Sequence, residues 1–163
     1  MNRTLRLFAA LGMLAIPAAA QAQAITGSIG AQADIATVFS WGTVAALNFG
    51  SVVPGTAANA TGSIALSRNV GVIYSLPDGA NTGKLTGPAG PLQPSFSCGV
   101  GTTATAITTA FSACNVTTSV LTLPAPAAVT TEYVVFQGSL SAAQTNIAPG
   151  TYSGTIRVTA TPN

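Results

Sequence analysis

Side chains that could carry out acid–base or metal chemistry are scarce in this sequence. The 163 residues include no histidine, and the only carboxylates are Asp34, Asp78 and Glu132. Without histidine, the chain cannot form a Ser-His-Asp triad or an imidazole metal site of its own. We interpret Asp78 as a turn residue and the other two as outward-facing strand positions. The sequence thus predicts a protein that is not an enzyme, with no catalytic, cofactor-binding or metal-binding residues.

Residues 1–24 have the pattern of a secretory signal peptide. Arg3 and Arg6 supply a positive start, and the stretch Leu5–Ile16 is apolar except for Arg6 and Gly12. Two small-x-small cleavage sites then overlap at Ala20–Ala24. We expect cleavage after Ala22 or Ala24 and export, by way of the periplasm, to the cell surface or the medium. The apolar stretch is shorter than the roughly 20 residues that span a membrane, so no integral membrane segment is expected after cleavage.

The exported part has balanced charge. The whole chain carries a formal net charge of +2, but two of its five cations belong to the signal peptide. Three cations then remain, Arg68, Lys84 and Arg157, against the three acids. Because these charges are few and scattered, we expect no nucleic-acid partner and no partner that is recognised by charge.

Both cysteines, Cys98 and Cys114, lie in the exported part. Export places them in an oxidising compartment, which favours a disulfide between them over the alternative of two buried free thiols. A zinc site is not expected, because no histidine or nearby carboxylate could complete a tetrahedron around two thiolates.

The elements that must position these residues are strands. Thr, Val and Ile are abundant, charged helix formers are nearly absent, and turn residues recur at short spacing, which together predict an all-β sandwich or barrel. Period-2 alternation predicts several strands, namely 47–53, 62–67, 70–76, 131–140 and 151–161. The Gly-, Pro- and Asn-rich residues 79–95 are predicted to form a loop.

The segment that follows the signal peptide, residues 25–41, alternates apolar and polar residues over its whole length. The apolar set includes Ile25, Ile29, Ala31, Ala33 and Ile35. Seventeen residues in one register would extend over roughly 55 Å, too long for one strand of a small sandwich. Either the segment forms two strands of its own sheet, or it is an arm that completes the sheet of another molecule. The main β domain is then residues 42–163.

Two short motifs near the ends of residues 25–161 resemble known bacterial sequences. Residues 47–55, Leu-Asn-Phe-Gly-Ser-Val-Val-Pro-Gly, are similar to an "L-x-F-G-x-x-x-P" element. Residues 138–140 and 150–159 are similar to a "G-x-L … G-x-Y-x-G/D-T-[VI]-x-V-T" ending. The residues that carry this likeness are Leu47, Phe49, Gly50, Pro54, Gly138, Leu140, Gly150, Tyr152 and Gly154. The chain thereby resembles a bacterial family of exported pilin-like domains of unknown function, related to the spore coat protein U family and archaic chaperone–usher pilins.

This resemblance implies an immunoglobulin-like antiparallel β-sandwich that lacks one strand. In the pilins, the N-terminal arm of the next subunit fills the gap, and export involves a periplasmic chaperone and an outer-membrane usher. The function expected from this resemblance is a structural or adhesive surface subunit that self-associates or joins other pilin-like subunits. The alternative is a monomeric secreted or periplasmic binding module, for example for carbohydrate, with Trp41 as the one stacking candidate.

Overall fold

The structure, a computed structural model, describes residues 32–33, 35–116, 119–142 and 148–163. The predicted signal peptide and arm residues Ile25, Ile29 and Ala31 lie outside the described residues. The chain divides after Asp34, and the fold below concerns residues 35–163. The domain boundary at residue 42 stays a prediction. Strand β1 begins at Phe39 and continues across this position.

The described part is all-β and antiparallel, as the sequence predicts. Ten strands and one short 3-10 turn (Gly79–Asn81) form its regular structure. The strands are β1 (Phe39–Ala45), β2 (Ala58–Arg68), β3 (Val72–Ser75), β4 (Leu85–Gly87), β5 (Gly90–Leu92), β6 (Ser95–Gly101), β7 (Thr109–Ala110), β8 (Val120–Leu123), β9 (Thr130–Leu140) and β10 (Thr159–Pro162).

Two sheets enclose the core. The larger has the order β1-β2-β9-β6-β7 and the smaller the order β10-β3-β8, while β4 and β5 form a separate hairpin. The core includes Leu66, Val134 and Phe136 from the larger sheet and Val72 and Tyr74 from the smaller. Apolar side chains from both sheets therefore meet in one layer, which defines a β-sandwich.

The longest pairing joins β2 and β9, which run antiparallel in continuous register from Ala58↔Leu140 to Arg68↔Thr130. Both strands follow the alternation on which their prediction depended, with Leu66 and Val134 fully buried. This pair lies inside the sheet between β1 and β6, so it supplies the central surface on which the smaller sheet packs.

Several sequence predictions were wrong in detail, and the predicted strand 151–161 is a regular strand only from Thr159 onward, in β10. Residues 47–53 belong to no strand, although they remain extended enough to alternate half-buried Leu47 and Phe49 with exposed neighbours. The predicted loop 79–95 contains the β4–β5 hairpin. Glu132 is buried rather than outward-facing, with 8% of its surface exposed.

One side of the sandwich is closed by residues 111–116, which follow β7. Cys98 in β6 is bonded to Cys114 in this segment, with 5.6 Å between their Cα atoms, so the predicted disulfide is confirmed. Phe111 is buried beside it and donates a backbone hydrogen bond to the Cys98 carbonyl. The segment thus covers the β7–β8 side and ties it to the larger sheet.

Candidate functional site

Among the described residues, nothing closes the opposite side of the sandwich. Here the edge strand of the larger sheet, β1, and the segment that leads into the edge strand β10 bound a cleft. We call this cleft the open groove, and define its two walls as Val44–Leu47 and Gly154–Val158.

The first wall presents an unpaired strand edge to solvent. β1 pairs with β2 through contacts such as Val44↔Ile64, and among the described residues no strand pairs with its other edge. Val44 is 70% exposed although it is a large β-branched residue. An uncovered edge strand with apolar side chains is a ready template for pairing with another chain.

The second wall is the long segment that the sequence predicts as one strand, residues 151–161. Ser153 exchanges two backbone hydrogen bonds with Thr86, but Ile156, Arg157 and Val158 lie outside any strand. Burial nevertheless alternates along it, with half-buried Ile156 and Val158 and exposed Arg157. The predicted alternation is therefore correct, although the backbone bonds of this wall, which include one from the Gly83 N–H to the Thr155 carbonyl, do not make a regular ladder.

The groove is apolar at its base. Phe96 and Phe136 form its floor, with ring centroids 6.3 Å apart and an edge-to-face angle of 87°. The cavity at this point has a volume of about 460 Å³, and Arg157 is the one charged residue among those that line it. Such a surface suits apolar side chains that alternate along an extended chain.

A second cavity, of about 700 Å³, continues the groove at its other end. Leu47, Leu85 and Gly154 line both cavities. The residues singled out by the family resemblance gather here: the lining includes Leu47, Phe49, Gly50, Pro54, Leu140, Gly150, Tyr152 and Gly154. Two motifs about 90 residues apart in sequence thus form one surface.

The ninth motif residue, Gly138, lies under this surface. A Cβ atom at Gly138 would stand 2.8 Å from Phe49 Cζ and 3.0 Å from Phe96 Cε1. Gly62 on β2 plays the same part for Leu47, whose backbone nitrogen would be 2.7 Å from a Cβ at that position. Both glycines leave room for side chains of the groove to settle onto the sheet.

A buried charged cluster that sequence reasoning missed lies beyond the groove, in the core. The Arg68 guanidinium donates to both carboxylate oxygens of Glu132, at 2.6 and 3.0 Å, and Tyr74 donates its hydroxyl proton to the same carboxylate. Burial, reinforced by the hydrogen bond to Glu132, raises the pKa of Tyr74 far above its usual value. The hydrogen bond to Glu132 likewise raises the pKa of Arg68. The cluster is fully paired, so its role is structural.

The other residues that the sequence predicts at a functional site give less support for a binding site. Trp41 is 41% exposed, and its ring centroid is 6.5 Å from that of Tyr74, so the indole packs against the core edge. Ala33 and Ile35 of the predicted arm are exposed. Within the described residues, no three His, Cys, Asp or Glu side chains cluster as metal ligands would.

The described part of the chain contains no helix long and apolar enough to span a membrane. Comparison with protein-family models, curated proteins and solved structures finds no match for this chain.

Proposed function

We propose that this protein is a non-enzymatic, exported structural or adhesive surface subunit that polymerises by strand addition. The fold is then an immunoglobulin-like sandwich that lacks one strand. The N-terminal arm of one copy, residues 25–35, occupies the open groove of the next.

The open groove is the observation that carries this proposal. Among the described residues it lies between the edge strand β1 and a segment outside any strand, it is apolar at its floor, and its two cavities share lining residues. An inserted strand would find backbone partners along the free edge of β1 and along Ile156–Val158. Main-chain hydrogen bonds would then give affinity, and side chains at alternate positions would fill the cavities.

The arm has the pattern that such a groove requires. Ile25, Ile29, Ala31, Ala33 and Ile35 share one face of an extended chain. The arm contains one charge, Asp34, which lies on the other face. An arm of this kind can place its apolar face on Phe96 and Phe136 without burying an unpaired charge.

The same groove is a liability before assembly, because exposed apolar edges promote non-specific association. We therefore include a periplasmic chaperone, which covers the groove until assembly, and an outer-membrane usher among the proposed partners. Other pilin-like subunits could donate an arm of similar pattern.

Deletion of residues 25–35 tests the proposal. The full chain secreted by its host should form polymers, visible as ladders on unboiled gels and as large species in light scattering. The deletion variant should be exported as a monomer, because its groove remains but it has no strand to donate.

A matched control keeps the composition of the arm and changes its pattern. Exchanging two neighbours, Ile29→Gly with Gly30→Ile, moves one large side chain to the other face. This variant should polymerise less than the unchanged chain. Polymers that persist after deletion of the arm would contradict the proposal, as would a full chain that stays monomeric.

A further inference from the structure

The Asn69 side chain binds the backbone of residues 36–38, which form the base of the arm. Its side-chain Oδ1 accepts a hydrogen bond from the Val38 N–H, and its Nδ2 donates to the Ala36 carbonyl, both at 2.8 Å. Its own backbone N–H donates to the Val38 carbonyl at 3.1 Å. We call these three bonds the Asn69 clamp.

The clamp extends the β1–β2 ladder past its last pair. Phe39 is paired with Arg68, so Val38 and Asn69 are the next residues on the two strands. A carboxamide has the same donor and acceptor as a peptide group, so the Asn69 side chain takes the place of the next piece of strand. Residues 36–38 are thereby held in line with β1.

In this geometry the chain forms no tight turn at the base of the arm. A tight two-residue hairpin needs residues with positive φ, and no described residue other than glycine has one. Residues 35–38 contain no glycine. Ile35, one residue beyond the clamp, is 87% exposed.

A straight base matters because the arm has two grooves that it could enter. Its own groove runs along the free edge of β1, so entry there requires the chain to reverse direction between Ile35 and Phe39. The groove of another copy requires no reversal. Intramolecular insertion would otherwise have the advantage of an effective concentration of about 1 mM or more for a short linker.

We infer that Asn69 is a positioning residue that directs the arm away from its own groove and toward a second copy of the chain. This inference rests on the proposed strand addition. Loss of the clamp should let residues 35–38 bend, so that the arm fills its own groove and the chain stops growing polymers.

The first experiment compares Asn69→Ala with Asn59→Ala in the full secreted chain. Asn59 is an exposed asparagine near the start of β2, the strand that Asn69 follows, and it lies away from the groove and the clamp. Removal of two side-chain hydrogen bonds should shift the ratio of polymer to monomer about tenfold toward monomer in Asn69→Ala. Asn59→Ala should polymerise like the unchanged chain. Equal or greater polymer in Asn69→Ala would overturn the inference.

The second experiment separates a misfolded variant, and a failure of the proposed function, from a failure of the clamp. A synthetic peptide of residues 25–35 is added to four chains: the unchanged chain and the Asn69→Ala variant, each with and without the arm. Both chains that lack the arm should take up the peptide equally, which shows that the groove is intact in Asn69→Ala.

The Asn69→Ala monomer that keeps its arm should refuse the peptide, because its own arm occupies the groove. If that monomer takes up the peptide, the inference is wrong while strand addition stands. If neither arm-deleted chain takes up the peptide, strand addition itself fails.

Discussion

Arg68 and Glu132 form a buried ion pair in a chain that has few charged residues. Their side chains are 5% and 11% exposed, and the Arg68 guanidinium also donates to the carbonyls of Val70 and Pro124, each at 2.7 Å. The pair therefore links β2 and β9 of the larger sheet to chain beside β3 and β8 of the smaller. A bidentate contact of this kind fixes orientation as well as distance.

Glu132→Gln should lower the free energy of unfolding by about 3 kcal/mol, because it leaves the Arg68 charge buried without a counter-charge. Urea unfolding of the secreted protein measures this change. Asp78→Asn is the matched control, since the Arg157–Asp78 contact is longer, at 3.6 Å, and the Arg157 side chain is 69% exposed. The control should cost at most about 1 kcal/mol. Equal losses in the two variants would show that the buried pair has no special weight.

Among the elements, β9 determines the shape of the groove because it has no side chain at Gly138. Gly138 is the one glycine among the inward positions of β9, and the space above Gly138 is filled by Phe49 from a segment outside any strand. That segment is held to the sheet by side chains instead of a ladder. Its position should therefore depend on the space at Gly138.

Gly138→Ala should displace the Phe49 ring and narrow the groove. We expect an unfolding cost of about 1–3 kcal/mol, typical of overpacking, together with weaker uptake of the arm peptide. Ser139→Ala, one residue further on the other face of β9, should change stability by less than about 0.5 kcal/mol and leave uptake unchanged. Unaltered stability and uptake in Gly138→Ala would contradict this account of the groove floor.

Local pattern was enough to predict some of these elements and not others. Alternation identified β2, β9 and the inward positions Ile156 and Val158, because period 2 depends only on neighbouring residues. It failed for Glu132, which a carboxylate's polarity assigns to solvent until its partner Arg68 is known. It also missed Asn69, whose side chain bonds one backbone N–H and one backbone carbonyl that are more than 30 residues away in sequence.

At the scale of the whole molecule, the sandwich has one sealed side and one open side. The disulfide and the buried Phe111 close the β7–β8 side, while β1 and β10 remain apart at the groove. A disulfide stabilises a fold mainly by constraining the unfolded chain, and this effect does not depend on the groove. The disulfide should therefore contribute stability that the groove does not supply.

Replacing both cysteines, Cys98→Ser with Cys114→Ser, should lower the free energy of unfolding by about 3 kcal/mol, as expected for a loop of this length. Urea unfolding with and without a reductant measures the effect, and the double variant should not respond to the reductant. Peptide uptake by the folded arm-deleted chain should persist, because the groove is on the other side. A loss of less than about 1 kcal/mol would contradict this account of the disulfide.

In the proposed assembly, the closed β7–β8 side would also limit how many neighbours a chain can bind. Each chain would donate its arm and accept another arm at the open groove. Units with one donor and one acceptor join head to tail, and such heterologous contacts produce unbranched filaments whenever the rotation between neighbours does not close a ring. A filament of this kind has two unlike ends, one with an empty groove and one with an unused arm, so growth and termination are different events.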